Sequence, residues 1–276
     1  MIFDLLKTAT PLLLASIGAL ASEMAGIMAV FADGFINLGG FIFYVALYYT
    51  GSSFVSCVVS GSFCTFIALL AAWTTNYLKA NPFLTGLALN VSVSGIITLT
   101  SVVLFETRGV LSFEQVMLSS LENNILIFVS YGIAVLFFAI LSLTKTGLYL
   151  GVAGTSPDVL SVRGINPLKY KIAGWGIAGF LSALAGCLLV AKLSAFVPNI
   201  SSGRGWLALA AVFLGKKRLP GTVVAVVVFS VAEYAANNIQ RIPFFSDLPS
   251  ALLLILPYAF TLVLIGSGLW QNKKTN

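Results

Sequence analysis

The sequence has no histidine, and only nine acidic residues occur among its 276. Charged residues of both signs make up 9 % of the chain, whereas they make up about a quarter of a soluble domain. Most of the chain therefore lacks a surface suited to water. Its three cysteines lie in apolar stretches, without the spacing of a disulfide framework or of metal ligands. No G-x-x-x-x-G-K-S/T loop for nucleotide phosphates is present, so we expect no metal, cofactor or ATP site.

Apolar sequence runs from one end of the chain to the other. Hydrophobic residues make up 59 % of it, and the mean hydropathy is +1.01. A spanning helix needs about 20 apolar residues, so the length allows about eight to ten membrane segments. The apolar runs are continuous rather than alternating, which predicts helices and not a barrel. We expect an all-α polytopic membrane protein with a single transmembrane domain over residues 1–276, whose N-terminal segment is a retained first helix.

Nine apolar segments predict where the membrane helices lie. They are 9–31, 34–49, 53–75, 82–104, 124–143, 171–191, 200–215, 219–236 and 249–269. Segments 34–49 and 200–215 are short or interrupted by glycine and polar residues. In transporters this is typical of broken or re-entrant helices that line a pathway.

Lysine and arginine collect in alternate loops, which predicts the orientation. One set of loops holds Lys79, Lys145, Arg163, Lys169, Lys171, Lys216, Lys217, Arg218, Lys273 and Lys274, with Asp158 as its acid. The other set mixes basic residues with Glu106, Glu114, Glu122 and Asp247. Positive residues favour the cytoplasmic side, so the first set and the C-terminus are expected there. The side of the N-terminus stays open. Because the basic residues lie in short loops, the net charge of +6 does not indicate nucleic-acid binding.

The segment 144–170 is predicted as the one long cytoplasmic loop. Within it, Thr155 or Ser156 can cap a helix of about two turns that ends near Gly164. Its apolar residues are Val159, Leu160, Val162 and Ile165. So short a helix is not stable alone in water. It is either a coupling helix inserted into a cytoplasmic partner or an interfacial helix resting on lipid headgroups, and the spacing leaves both open.

Four segments also carry motifs of a known family. The stretch ISSGRGWLALA at 200–210 is followed by Phe213-Leu214-Gly215 and Pro220-Gly221. Ser22–Ile27 and Asp33-Gly34 are similar to S-E-R-A-G-V…N-I-G-x-E-G, with Met24, Ala29 and Asp33 in place of Arg, Asn and Glu. Two further matches are the LKANP and GLALN stretch at 78–90 and the loop 154–165, which follows G-x-N-P-x-A-A-x-x-x-G-I. Over about residues 16–222 the chain resembles ABC importer permeases for branched-chain amino acids, ribose and nucleosides, and the nucleoside type most closely.

The resemblance implies the transmembrane domain of a type II ABC importer in the bacterial cytoplasmic membrane. It implies a transport subunit rather than an enzyme. Its partners would be ATP-binding subunits on the cytoplasmic side, a second permease (a copy or a paralog) and an external substrate-binding protein, often a lipoprotein. The residues that the resemblance assigns to the ATPase-coupling helix are Gly154, Ser156, Pro157, Asp158, Val159, Val162, Arg163, Gly164 and Ile165.

Polar residues inside the apolar segments are the candidates for the translocation pathway. They are Glu23, Asp33, Asn37, Asn90, Arg204 and Glu233. Charges at such depth are costly and usually face a cavity or a partner. For Arg204 the alternatives are an ion pair across the bundle and donation to a ligand oxygen. The two asparagines either form hydrogen bonds between helices or line the path, and Glu233 alternatively reaches the membrane interface.

The leading functional hypothesis is import of a nucleoside-like solute, driven by ATP hydrolysed in partner subunits. Riboflavin or another ring–ribityl or ring–sugar compound is an alternative for the same architecture. A different class is a gradient-driven secondary transporter that uses Glu23, Asp33 or Glu233 as its coupling acid. An intramembrane enzyme is disfavoured, because the chain has no histidine and no acid pair with motif spacing.

Overall fold

The computed structural model describes residues 2–112 and 120–239, with side chains over 5–112 and 124–235. Over these residues the chain is all-α. Its helices are α1 Ile2–Met24, α2 Ala32–Thr50, α3 Ser53–Tyr77, α4 Pro82–Phe105, α5 Ser120–Leu143, α6 Lys145–Thr155, α7 Pro157–Val162, α8 Pro167–Leu193, α9 Arg204–Leu214 and α10 Leu219–Ile239. The predicted span 249–269, the side chains of Glu114 and Glu122, and the C-terminal charges lie outside the described residues.

Five helices of the described ranges are long and apolar enough to cross a bilayer. They are α1 from Leu5, α3, α4, α5 from Asn124, and α8. The apolar spans of α1 and α8 are 72 % and 78 % buried, whereas those of α3, α4 and α5 are 28 %, 17 % and 22 % buried. The first two therefore form the centre of the bundle, and the other three face its surroundings. The predicted all-α polytopic class is confirmed.

Small residues let the central helices pack closely. Gly18 of α1 lies against Ala178 of α8, while Gly174 lies against Ala25, so the two helices run antiparallel. A Cβ on Gly186 of α8 would lie 2.0 Å from a backbone oxygen of α2. In lipid, no hydrophobic driving force brings helices together, because the lipid tails are as apolar as the side chains. Helix association therefore depends on close backbone approach of this kind.

Two predicted apolar segments differ from the helices of the structure. The run 9–31 is not one helix, because α1 ends at Met24 and residues 25–31 form turns that lead into α2. The predicted interruption in 34–49 is absent, since α2 is a continuous helix of 19 residues. Its regularity follows from burial of one side against α8, which outweighs the cost of its glycines.

The prediction of a short segment at 200–215 is confirmed. Helix α9 has 11 residues, or about 16 Å at 1.5 Å per residue, and cannot cross a bilayer alone. The backbone before it is irregular, with positive φ at Ser194, Asn199 and Ser202 (49°, 59° and 47°). Segment 194–203 follows the end of α8, whereas Lys217, just after α9, contacts Glu23 in the last turn of α1. Because α1 and α8 run antiparallel, these points lie at opposite ends of the bundle. Segment 194–203 and α9 together therefore form one broken element rather than a re-entrant one.

The segment 144–170 is not an open loop, which corrects the prediction. Helix α6 fills its first half, because the Thr144 side chain accepts the backbone N–H of Gly147 as an N-cap at 3.4 Å. Helix α7 begins at Pro157 as expected, but Ser156 makes no side-chain cap. Ser156 is also the C-cap of α6, and its N–H donates to Val152 O at 2.8 Å. The predicted stop at Gly164, with φ +73°, is confirmed.

Candidate translocation site

The N-terminal ends of α2 and α9 meet inside the bundle. Contact is this close because Gly205 has no side chain: a Cβ there would lie 2.2 Å from the backbone nitrogen of Asp33. Asp33 Oδ1 accepts the backbone N–H of Gly205 at 3.0 Å. The first amides of a helix lack partners and carry partial positive charge. Asp33 therefore caps α9, and this capping stabilises a carboxylate at this depth.

A second set of hydrogen bonds attaches the segment before α9 to α2. Asn37 Nδ2 donates to Ser201 Oγ at 3.0 Å, and Asn37 Oδ1 accepts the backbone N–H of Ser201 at 2.9 Å. The Ser201 hydroxyl in turn donates to Asp33 Oδ2 at 3.0 Å. The predicted residues Asp33 and Asn37 are thus brought together, and both hold the segment before α9 in place.

Arg204 and Glu233 form an ion pair between α9 and α10. Their side chains are 18 % and 12 % exposed, and Arg204 Nη1 also donates to the backbone oxygen of Ser201 at 3.3 Å. Of the alternatives for Arg204, the structure shows the ion pair across the bundle. A half-buried pair of this kind keeps both charges compensated.

Glu23 lies apart from these residues. It is in the last turn of α1, where Oε1 lies 2.6 Å from Lys217 Nζ in the turn between α9 and α10. Lys217 also lies over the ring of Phe213, 5.5 Å from its centroid. The pair places Glu23 at the end of the bundle that carries the predicted cytoplasmic basic residues, here called the basic end.

A cavity of about 630 Å³ opens beside the Asp33 network. It is lined by Asp33, Gly34, Asn37, Leu87, Asn90, Val91, Val93, Ser94, Ile97, Thr98, Pro198, Asn199 and Trp206. Its walls are α2, α4 and the broken element formed by segment 194–203 and α9, and it is open on one side. The volume lies within the range of about 300–1,000 Å³ that is usual for small-molecule sites. Of the predicted pathway residues, Asp33, Asn37 and Asn90 line it.

The α4 wall carries a polar stripe that the sequence analysis missed. Asn90, Ser94 and Thr98 follow at intervals of four residues, so they share one face of an otherwise apolar helix. Asn90 also joins α4 to α2: its Nδ2 donates to Val30 O at 2.8 Å, and its Oδ1 accepts the N–H of Gly34 at 2.7 Å. Interhelical bonding and cavity lining are therefore combined in one residue. The spacing from Asn90 is the signal that would have found the other two.

A second cavity of about 640 Å³ lies between α3, α5 and α8. Its lining is mostly apolar, with side chains such as Phe54, Val58, Ile133 and Phe180. None of the predicted pathway residues lines it. The polar cavity is therefore the candidate translocation site.

The predicted coupling residues lie at the surface of the basic end. Val159 and Val162 are 51 % and 90 % exposed, whereas Leu160 is buried and anchors α7. Around them, Ser156, Asp158, Arg163 and Gly164 are exposed, and Gly154, Pro157 and Ile165 are half-buried. A Cβ on Gly154 would lie 2.2 Å from the backbone oxygen of Met24, so the end of α6 packs directly on the end of α1.

A bundle of spanning helices, a broken element and a polar cavity between them are typical of a polytopic membrane transport protein. Residues 1–265 match the family model for the permease component of branched-chain amino acid transport systems. The chain therefore belongs to this family of transport permeases.

Among curated relatives, the nucleoside ABC transporter permease protein NupC of Lactococcus lactis is 26 % identical over 285 positions, covering 95 % of this chain and 90 % of that protein. The guanosine ABC transporter permease protein NupQ of Bacillus subtilis is 25 % identical, with 92 % and 87 % covered. The ribose import permease protein RbsC of Escherichia coli K12 is 28 % identical over 120 positions, 41 % of this chain and 37 % of that one.

Among solved structures, PsaBC from Streptococcus pneumoniae in complex with Fab superposes with a TM-score of 0.53 at 14 % identity. The match covers 94 % of this chain and 89 % of that one. This likeness shows a shared fold. With the family match, it confirms the expected transmembrane domain of an ABC importer.

Proposed function

We propose that this permease translocates a nucleoside-like solute through the polar cavity, using ATP hydrolysed by partner subunits. The observation that carries the proposal is the cavity itself. Its lining combines hydrogen-bond acceptors and hydroxyl groups with apolar side chains, and it lies between the helices of the bundle. A nucleoside combines a flat, weakly polar ring with a hydroxylated sugar, and such a lining suits both parts. The names of the two relatives matched over most of the chain support this substrate class.

Helix α7 is the proposed coupling helix. Its exposed valines at the basic end form an apolar face that a six-residue helix does not bury by itself. A groove in a cytoplasmic ATP-binding subunit would cover this face. The open side of the cavity and the exposed surface of α4 are consistent with a second permease, copy or paralog, that completes the wall. An external binding protein would deliver the solute.

The structure also suggests how motion at α7 would reach the cavity. The end of α6 packs on the end of α1, and there Glu23 pairs with Lys217. Lys217 follows α9 directly, and the opposite end of α9 is capped by Asp33 in the cavity wall. The physical basis of coupling is an element with two arrangements whose equilibrium both sites influence. The short helix α9, held at both ends by charged side chains, is our candidate for that element.

The test is reconstitution of the permease in proteoliposomes with the ATPase, second permease and binding protein that are encoded beside it. We expect ATP-dependent uptake of guanosine or another nucleoside, unaffected by a protonophore. Uptake that survives without the ATPase and collapses with the protonophore would establish the gradient-driven transporter instead. Riboflavin belongs in the same screen, and uptake of riboflavin but no nucleoside would replace the proposed substrate.

Docking of α7 is tested separately by co-purification. Val162→Asp with Arg163→Glu should release the ATPase from the detergent-solubilised complex. The matched control is Val110→Asp with Arg108→Glu, which makes the same two changes at exposed positions after α4, at the opposite end of the bundle. Equal retention of the ATPase by both variants would show that α7 is not the docking site.

A further inference from the structure

Trp206 lies at an unusual depth for a tryptophan of a membrane protein. Tryptophan is normally enriched at the two membrane–water interfaces. Trp206 is instead in the first turn of α9, beside Gly205, and it lines the same cavity as Asn90. Asn90 is about 12 Å along α4 from Pro82, at 1.5 Å per residue, in a helix of 24 residues. An anchoring role at the interface therefore does not account for Trp206.

The ring of Trp206 is available to an occupant of the cavity. Its side chain is 43 % exposed although the residue sits at the meeting point of α2 and α9. Trp73, which is 52 % exposed, is stacked on Tyr77 with centroids 5.5 Å apart. Trp175 is buried and meets Phe31 edge-on at 4.9 Å. Among the described residues, no ring or cation contacts the face of Trp206.

Among the described residues, the other walls of the cavity offer hydrogen-bonding groups and no second aromatic ring. Ser94 and Thr98 place hydroxyl oxygens on the α4 wall, and that of Thr98, which donates to Ser94 O, remains an acceptor. Asn199 presents an amide from the segment before α9. One planar surface and a row of small polar groups thus share one cavity. This arrangement matches a solute in which a planar ring is joined to a hydroxylated chain.

We infer that Trp206 selects ring-bearing solutes over bare sugars, by stacking on the planar ring while the α4 hydroxyls contact the sugar or ribityl hydroxyls. The inference rests on the proposed function and names the residue that sets its substrate class. Stacking on an aromatic side chain is tolerant of ring identity, because every base has a π-face. Trp206 therefore separates nucleosides from ribose without separating one nucleobase from another.

The experiment compares Trp206→Leu, which removes the ring, with Trp206→Phe, which keeps one. Trp73→Leu is the matched control, because it removes an exposed tryptophan that does not line the cavity. The purified transporter is photolabelled with 8-azidoadenosine, and labelled peptides are mapped by mass spectrometry with excess guanosine or ribose as competitor. Uptake of tritiated guanosine is measured in proteoliposomes at saturating loaded binding protein. Co-elution with the ATPase shows that each variant is assembled.

In the wild type, labelling should be blocked by guanosine and not by ribose. Stacking of a base on an aromatic side chain changes affinity by about 5- to 150-fold, so Trp206→Leu should lose labelling and uptake by about tenfold or more. Trp206→Phe and Trp73→Leu should stay close to wild type. If the wild type transports guanosine and Trp206→Leu is equally active, the inference about Trp206 is wrong while the proposed function stands. A wild type without nucleoside uptake or displaceable labelling overturns the proposed function and the inference together.

Discussion

Replacement of Gly205 by alanine tests the contact on which the candidate site depends. The added Cβ would lie 2.2 Å from the nitrogen of Asp33, 2.4 Å from its Cα and 2.7 Å from its Cβ. None of these atoms is the far end of a flexible side chain, so no change of rotamer relieves the overlap. The ends of α2 and α9 must separate by about 1 Å, since close-packed interiors do not absorb such contacts.

The cost follows from two terms. Overpacking typically destabilises by about 1–3 kcal/mol, and weakening the Asp33 cap on α9 adds about 1 kcal/mol. At roughly 2–4 °C per kcal/mol for a chain of this size, the melting temperature should fall by about 5–15 °C. Uptake should fall further than stability alone explains, because Asp33 and Trp206 on the two sides of this contact both line the cavity.

Gly95→Ala is the matched control on α4, where a Cβ would meet nothing within 4 Å. The same substitution at an exposed helix position gains about 1 kcal/mol of helix propensity, so its melting temperature should stay level or rise. Both variants are melted as purified transporter in detergent and assayed for uptake in proteoliposomes. If Gly205→Ala melts and transports like Gly95→Ala, the two helix ends do not meet as described.

Substitutions at three further contacts, the Glu23–Lys217 pair, the Arg204–Glu233 pair and the Asn90 hydrogen bonds, test how the site is held together. Glu23→Lys and Lys217→Glu should each lower uptake while the double exchange restores it, with little change in melting because half-exposed pairs contribute only about 0.2–1 kcal/mol. If the double exchange transports better than the sum of the two single losses predicts, the Glu23–Lys217 pair is needed for transport. Additive losses would contradict this role of the pair. Arg204→Leu leaves Glu233 charged without its partner and should lower the free energy of unfolding by about 3–5 kcal/mol. We expect to measure this as reduced recovery of folded protein from detergent. Recovery should return in the variant that also carries Glu233→Leu. Asn90→Leu leaves a backbone N–H of α2 unsatisfied and should cost about 1–3 kcal/mol, and an unchanged melting temperature would refute that bond's role.

Composition and local spacing were enough to predict the architecture. The scarcity of charge and the continuous apolar runs define an all-α membrane protein, because backbone groups in lipid must be satisfied within helices. The short segment 200–215 was recognisable because glycine, serine and arginine interrupt its apolar sequence. The interhelical role of Asn90 follows from the same physics, since an amide in lipid needs a partner from a neighbouring helix.

The arrangement of the site depends on contacts that local sequence does not encode. Asp33 and Gly205 are 172 positions apart, and the packing of α2 against α9 brings them together. The unbroken apolar run 9–31 concealed the end of α1 at Met24. Because of that, Glu23 was predicted inside the membrane segment, and its position beside Lys217 was visible only in the folded chain.

The hydrogen bonds and ion pairs of Asp33, Glu233 and Glu23 bear on whether transport is driven by an ion gradient or by ATP. A gradient-driven transporter needs an acid that binds and releases its coupling ion as the site opens and closes. Here Asp33 accepts two hydrogen bonds that hold a helix terminus, and Glu233 and Glu23 are paired with Arg204 and Lys217. Releasing any of them breaks a contact that positions α9. Two of these contacts hold the two ends of α9, one in the cavity wall and one beside the end of α1 on which α6 packs. This arrangement favours energy entering through a cytoplasmic partner.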